Sequence, residues 1–309
     1  MKSIRYKFRH FITSNRRPHV RRIRITAGGV RAARDPAGLA TPKAGLRLAA
    51  GAFLLAAFLT AGPAIAASVD VEVTVENLAP ANGTYLTPFW AGFHDGTFDT
   101  YNQGSPASTG LERLAEDGDT GPLSADFTAS ATGATQGTLN AIGPIPPGGK
   151  VSKRFSLDPQ SSLARYFSYA SMIIPSNDAF VANGKPTAHQ IFDAGGGFLG
   201  ADFVIQGSAV LDAGTEVNDE LPANTAFFGQ SAPDTGTAQG GNVDAHPGFN
   251  AAGSGGILDD PMFSAADFLA PNHQVARIRV TLLPPKPASV AVKIENLSPA
   301  AGTYLTPVW

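Results

Sequence analysis

The 309-residue chain carries 34 glycines, 24 prolines and no cysteine, which excludes disulfide frameworks, thiolate metal sites and cysteine nucleophiles. Its formal charge of −2 conceals a division: residues 1–66 hold 13 of the 23 Lys and Arg and one acid, Asp35. The remainder keeps 10 bases against 24 acids, a net charge of −14 that argues against nucleic acid as a partner.

The basic N-terminal stretch runs into an apolar segment, LAAGAFLLAAFLTA (48–61), followed by Ala64–Ile65–Ala66. A basic region, an apolar run of this length and an A-x-A site predict a secretory signal peptide over 1–66. The run of 14 residues is short for a membrane span, which takes about 20. No transmembrane span is expected after cleavage. The protein is expected to be bacterial and secreted or periplasmic.

A domain over 67–283 opens with alternation: Val69, Val71, Val73 and Val75 against Asp70, Glu72, Thr74 and Glu76, the pattern of a half-buried strand. Asn82–Gly83 predicts a tight turn. Phe89, Trp90, Phe93, Phe98 and Tyr101 are expected to fill a core. Thr109-Gly-Leu-Glu112 has capping-box spacing, and Gly118 can end the helix it starts; Ser264-Ala-Ala-Asp267 is a second, weaker helix signal. The stretches 151–157, 163–174, 203–210 and 275–283 are rich in β-branched and aromatic residues and bounded by turn formers. The tract 229–256 has almost no large apolar side chains and reads as a long surface excursion. Strands dominate and helices are short. The fold class expected is all-β, an antiparallel β-sandwich of about eight strands with one or two short helices.

A stiff linker, PPKPAS (284–289), leads to a repeated phrase. VAVKIENLSPAAGTYLTPVW (290–309) matches VEVTVENLAPANGTYLTPFW (71–90) at 14 of 20 positions, 219 residues apart. That offset is the size of a domain rather than of a solenoid repeat. Residues 290–309 are therefore expected to be the first strand and turn of a truncated second copy.

The stretches ENLAPANGTYLTPFWAGFHDGTFDTYNQG (76–104), GLERLAEDGD (110–119), SMIIPSNDAF (171–180), LDAGTEVNDE (211–220) and VARIRVTLL (275–283) together resemble a spondin N-terminal domain, in its bacterial exported branch. They occur in the family's order and cover most of 69–283. The resemblance implies an eight-stranded sandwich similar to calcium-dependent membrane-binding domains, with one Ca²⁺ near the loops at one end. It also implies adhesion or recognition in the extracellular matrix rather than catalysis. The chain departs from the animal relatives in lacking their cysteines and thrombospondin-type repeats. It also carries Ala179 where a Trp follows the P-S-x-D motif.

Calcium takes six to eight oxygen ligands, with carboxylates supplying most of the charge. Asp178 follows Pro175-Ser-Asn177 in the turn after an apolar strand, and Asp212 opens DAGTEVNDE after another. Glu216, Asn218 and Asp219 lie within reach of the same bend, and Asp158 is a further candidate from a neighbouring strand end. The bland alternative is that these acids cap turns. His94–Asp95 could mark a hydrolase site, although a lone His beside Asp is more often a turn or core residue. No G-x-S-x-G elbow, zinc motif, phosphate loop or EF-hand loop is present. Two functions follow. One is an exported, non-catalytic calcium-binding module that recognises an envelope or extracellular protein or glycan. The other is a secreted hydrolase built around His94.

Overall fold

The computed structural model describes residues 68–285 except 141, together with Leu297 and Gly302. The expected signal peptide, residues 286–289 of the linker and, but for those two positions, the repeat at 290–309 lie outside the described residues. Within 68–285 the valine alternation forms β1 (Val69–Asn77), which pairs antiparallel with β5 (Lys150–Leu157) and β11 (Gln274–Leu282). With β8 (Ala201–Gln206) on the far side of β11, the order of this sheet is β5-β1-β11-β8. Val71, Val73 and Val75 point inward with Ile278 and Val280 of β11. The alternate positions carry charge, and Arg277 pairs with Asp202 through two hydrogen bonds of 2.6 Å.

The second sheet runs β10 (Asp244–Ala245), β9 (Leu211–Asp212), β7 (Ala179–Ala182), β6 (Tyr166–Ile174), β3 (Phe89–His94), β4 (Gly133–Leu139), with β2 (Tyr85–Leu86) also on β6. Every pairing is antiparallel. Phe89, Phe93, Phe167, Ile173 and Val181 face the valines of the first sheet and close the core. The expected sandwich is the fold observed. Eight strands have four residues or more, and β2, β9 and β10 have two each.

A third layer was only half expected. β3 is buried on both faces, and so is nearly all of β6. A helical hairpin, α1 (Thr109–Asp117) and α2 (Thr120–Ser130), covers the outside of the second sheet. Leu111, Leu114, Leu123 and Phe127 pack there on Trp90, Phe98 and Phe180. The cap of α1 is Ser108, one residue before the expected position, its hydroxyl accepting from the Leu111 amide at 3.2 Å. Gly118 ends the helix in the left-handed conformation, as expected. Helix α2 was not expected from the sequence; Gly121 and Pro122 stand in its first turn, where Pro is tolerated because its missing N–H has no intrahelical partner. The weaker signal at 264–267 forms turns instead, with Asp267 accepting from the Leu269 amide at 3.0 Å. Leu282, on the inward phase of the β11 alternation, is nevertheless 46% exposed at the strand's end.

The tract 229–256 is pinned rather than free. Residues 237–241 run back along 214–217, with Val217 N donating to Thr237 O and Gln239 N to Thr215 O, both at 2.8 Å. Glu220, buried, accepts from the amides of Asn250 and Ile257 and so fastens the tract's far end.

Asn77 joins the two sheets at one end of the sandwich. Its amide nitrogen donates to Thr84 O and Ile145 O, and its oxygen accepts from Ala79 N, all at 2.9 Å. Asn77→Leu would strand these three backbone groups in a buried site, where each unmet hydrogen bond costs about 1–3 kcal/mol. Urea unfolding should report a loss of about 3 kcal/mol or more. A loss below ~1 kcal/mol would mean that water replaces the side chain.

Candidate metal centre

β6 leaves the core at Ile174, and the chain turns through Pro175, Ser176 and Asn177 before β7 begins at Ala179. The turn is tied internally. The Ser176 hydroxyl donates to Ile173 O at 2.5 Å and accepts from Ala179 N at 3.1 Å. Asp178 is held between this turn and β9, where Ala179 pairs with Asp212 and Ala213 N donates to Asp178 O at 3.2 Å. The two sequence-predicted aspartates are thereby brought to one place.

Asp178 is 0% exposed. Its Oδ2 accepts from Thr215 N at 2.8 Å, Glu216 N at 3.1 Å and Thr215 Oγ1 at 3.2 Å, while its Oδ1 is buried with no hydrogen-bond partner. Burial first, and then the neighbouring Asp212 carboxylate, push its pKa up to about 7. Asp212 spends one oxygen on the Gly214 amide at 2.6 Å and the other on the Asn218 side chain. Gly214 turns the bend with φ +70, and a Cβ there would meet the Asn242 backbone. The turn-capping expectation is thus met by one oxygen of each aspartate. The bare Asp178 Oδ1 is left over, and a buried oxygen without a partner fits a hard cation.

The other candidates fall elsewhere. The Glu216 amide belongs to the Asp178 turn, but its carboxylate converges with Glu116 and Asp234, within 4.8 Å of both. Asp219 caps its own turn, accepting from Leu221 N at 2.9 Å and Asn224 Nδ2 at 2.6 Å. Asp158 does not join the others, because β5 ends beside the start of β1, with Leu157 opposite Val69. Asp178 lies at the other end, where β6 reaches β2 and Asn77 closes β1. At its own end Asp158 accepts from Gln160 N at 2.9 Å, a turn cap.

Sequence reasoning missed Glu116, Asp234 and His246. The signal for Glu116 lay in α1, whose last turn carries two acids and no base, against the helix dipole. His246 stands alone in sequence but is buried near Asp212 by the β9–β10 pairing, with Nδ1 accepting from Gly248 N at 3.0 Å and Nε2 unpartnered.

His94 is fully buried beneath the helical layer. Its Nδ1 accepts from Gly96 N at 3.0 Å, which places the ring proton on Nε2, donating to Ser168 Oγ at 2.8 Å. Asn183 Nδ2 donates to the same hydroxyl at 2.9 Å, so the set is internally satisfied. This is the core histidine that the sequence favoured over a catalytic one. Burial lowers its pKa to about 4, opposed by the smaller effect of Asp95. The unfolded chain takes up the proton first, so the stability that neutral His94 contributes is present above pH 6.5 and lost as pH falls towards 4. The loss is on the order of 3 kcal/mol. NMR titration of the ring should place its midpoint near pH 4. A midpoint near 6.5 would contradict the burial account.

No helix among the described residues is long and apolar enough to cross a membrane. Among curated proteins nothing matches the chain. The family model described as Spondin_N matches residues 78–184, a stretch that runs from the end of β1 through the helical hairpin and β7 and includes Asp178. Over residues 78–184 the chain is thus similar to the spondin N-terminal family.

Proposed function

We propose that the protein is an exported recognition or adhesion domain, stabilised by calcium at the end of the sandwich where Asp178 and Asp212 meet. The observation that carries this reading is Asp178 Oδ1, a carboxylate oxygen sealed from water with no partner. Leaving it bare costs about 1–3 kcal/mol, and more when the group is charged. A bound cation removes that cost and offsets the repulsion between Asp178 and Asp212. Asp178 and Asp212 would hold the ion, with further oxygens from backbone or water. Asp178 already fixes the 213–216 bend through Oδ2, so one residue would lock both strand-end turns into a rigid surface. Rigid loops on a sandwich end suit binding, because a preorganised surface loses less entropy on association.

The match of residues 78–184 to the Spondin_N model and the excess of acid over base beyond residue 66 support a role outside the cytoplasm. The ligand class we assign is an envelope or extracellular protein or glycan. A hydrolase centred on His94 draws no support from the geometry, because that ring is enclosed by Phe98, Phe127 and Tyr166.

Thermal melts with calcium and with chelator test this reading. At ~100-fold excess over Kd, calcium should add about 2.7 kcal/mol. Asp178→Asn should abolish the gain while folding normally, since an amide can sit in the same turn. An equal melting temperature with and without chelator would remove calcium from the account. Turnover of an ester, peptide or glycoside that disappears in His94→Ala would favour the hydrolase instead.

A further inference from the structure

The loop from Leu221 to Pro233 places one aromatic side chain where it is costly twice over. Phe227 has φ +62°, a left-handed conformation that is an outlier for a bulky residue, and it is 47% exposed. The turn around it enforces both features. Thr225 is fully buried; its carbonyl accepts from Phe228 N at 3.2 Å and Gln230 N at 3.3 Å, and its hydroxyl donates to Leu221 O at 2.9 Å. Ala226 N donates to Ser176 O at 3.0 Å and Asn177 Nδ2 to Asn224 O at 3.1 Å, which fastens this turn to the one between β6 and β7. The ring leans on Tyr85 and Phe263, with ring centres 5.2 and 6.2 Å away, and is held there on a rigid base.

Phe227 forms one wall of an open groove of about 350 Å³. Met172 and Ile174 of β6 are its buried floor, and Pro88, Pro144 and Pro233 stand around it. Two residues before Pro144, Ile142 is fully exposed, so apolar surface extends past that rim. The Pro233 side is acidic. Asp234 follows directly, its side chain 73% exposed, and Glu116 and Asp117 lie beside it with Arg113 as the base that all three share. An outward aromatic beside an apolar groove is the arrangement of an interface anchor, and a negative rim selects a positive partner. Strain kept at one exposed ring is a cost to the fold that such a role accounts for.

We propose that this groove docks an extended segment of a partner protein in which an apolar side chain stands next to Lys or Arg. The apolar side chain packs between Phe227 and the prolines, and the base pairs with Asp234. The proposal deepens the recognition role above by giving it a place and a protein partner, and it needs no ion at Asp178. The same acidic rim repels an anionic glycan or an anionic lipid surface.

Peptide-display selection on the purified chain tests the proposal, followed by fluorescence-anisotropy titration of the enriched peptides. Enriched sequences should set an aromatic or aliphatic residue beside Lys or Arg. Phe227→Ala should weaken them about tenfold or more. Asp234→Asn should weaken them several-fold at low salt and less at high salt, since a rim charge is screened. Phe227→Gly separates binding from folding: glycine takes a positive φ without strain, so this variant should melt no lower than Phe227→Ala and still lose the peptide. Repeating the titration in chelator keeps the two readings apart, because the dependence on Phe227 should survive there whether or not calcium raises the melting temperature. The proposal is overturned if no such sequence is enriched, or if enriched peptides bind Phe227→Ala as tightly as wild type. It is equally overturned if phosphatidylcholine vesicles or a second copy of the chain, rather than peptides, are what Phe227→Ala ceases to bind.

Discussion

One end of the sandwich depends on one carboxylate. Asp178 has no exposure to solvent, and three donors from Thr215 and Glu216 converge on its Oδ2. Those bonds are the reason the DAGTE bend closes over the β6–β7 turn. A buried anion with backbone donors on one side and nothing on the other is an unbalanced arrangement. The proposed cation supplies the missing side. The same logic extends along the bend, where the next carboxylate, Glu216, repeats the pattern of one oxygen bonded and one bare.

The sandwich makes such burial possible by being thicker than two sheets. Because α1 and α2 cover the outer face of the second sheet, side chains that would meet water in a two-layer sandwich lie inside. Trp90 and His94 point into that outer layer, while Phe89 and Phe93 point into the inner core. One strand therefore serves two apolar layers, and its central position explains why β3 is buried throughout. The helix end that completes the layer also delivers Glu116 to Asp234 of the 229–256 tract, so packing and charge placement are linked through α1.

Much of this was legible in the sequence. The valine alternation fixed the face of β1, the Asn82–Gly83 turn appeared where the dipeptide predicts it, and the separated Asp178 and Asp212 meet across β7 and β9. What stayed hidden depended on contacts between distant segments. Asp158 looks equivalent to Asp178 as a strand-end acid, but strand direction sends it to the opposite end. Glu116 looks like an ordinary surface acid until the low-apolar tract is folded back upon it. That tract read only as a long surface excursion because its anchors are backbone amides and a few polar side chains, which leave no hydrophobic pattern.

The central claim is that Asp178 Oδ1 is a cation ligand. A crystal structure of the chain grown with millimolar calcium tests it most directly. The account predicts an ion within ~2.3–2.6 Å of Asp178 Oδ1, with Oδ2 still bonded to the Thr215 and Glu216 amides. A water or a protein donor on Oδ1 under those conditions would contradict it.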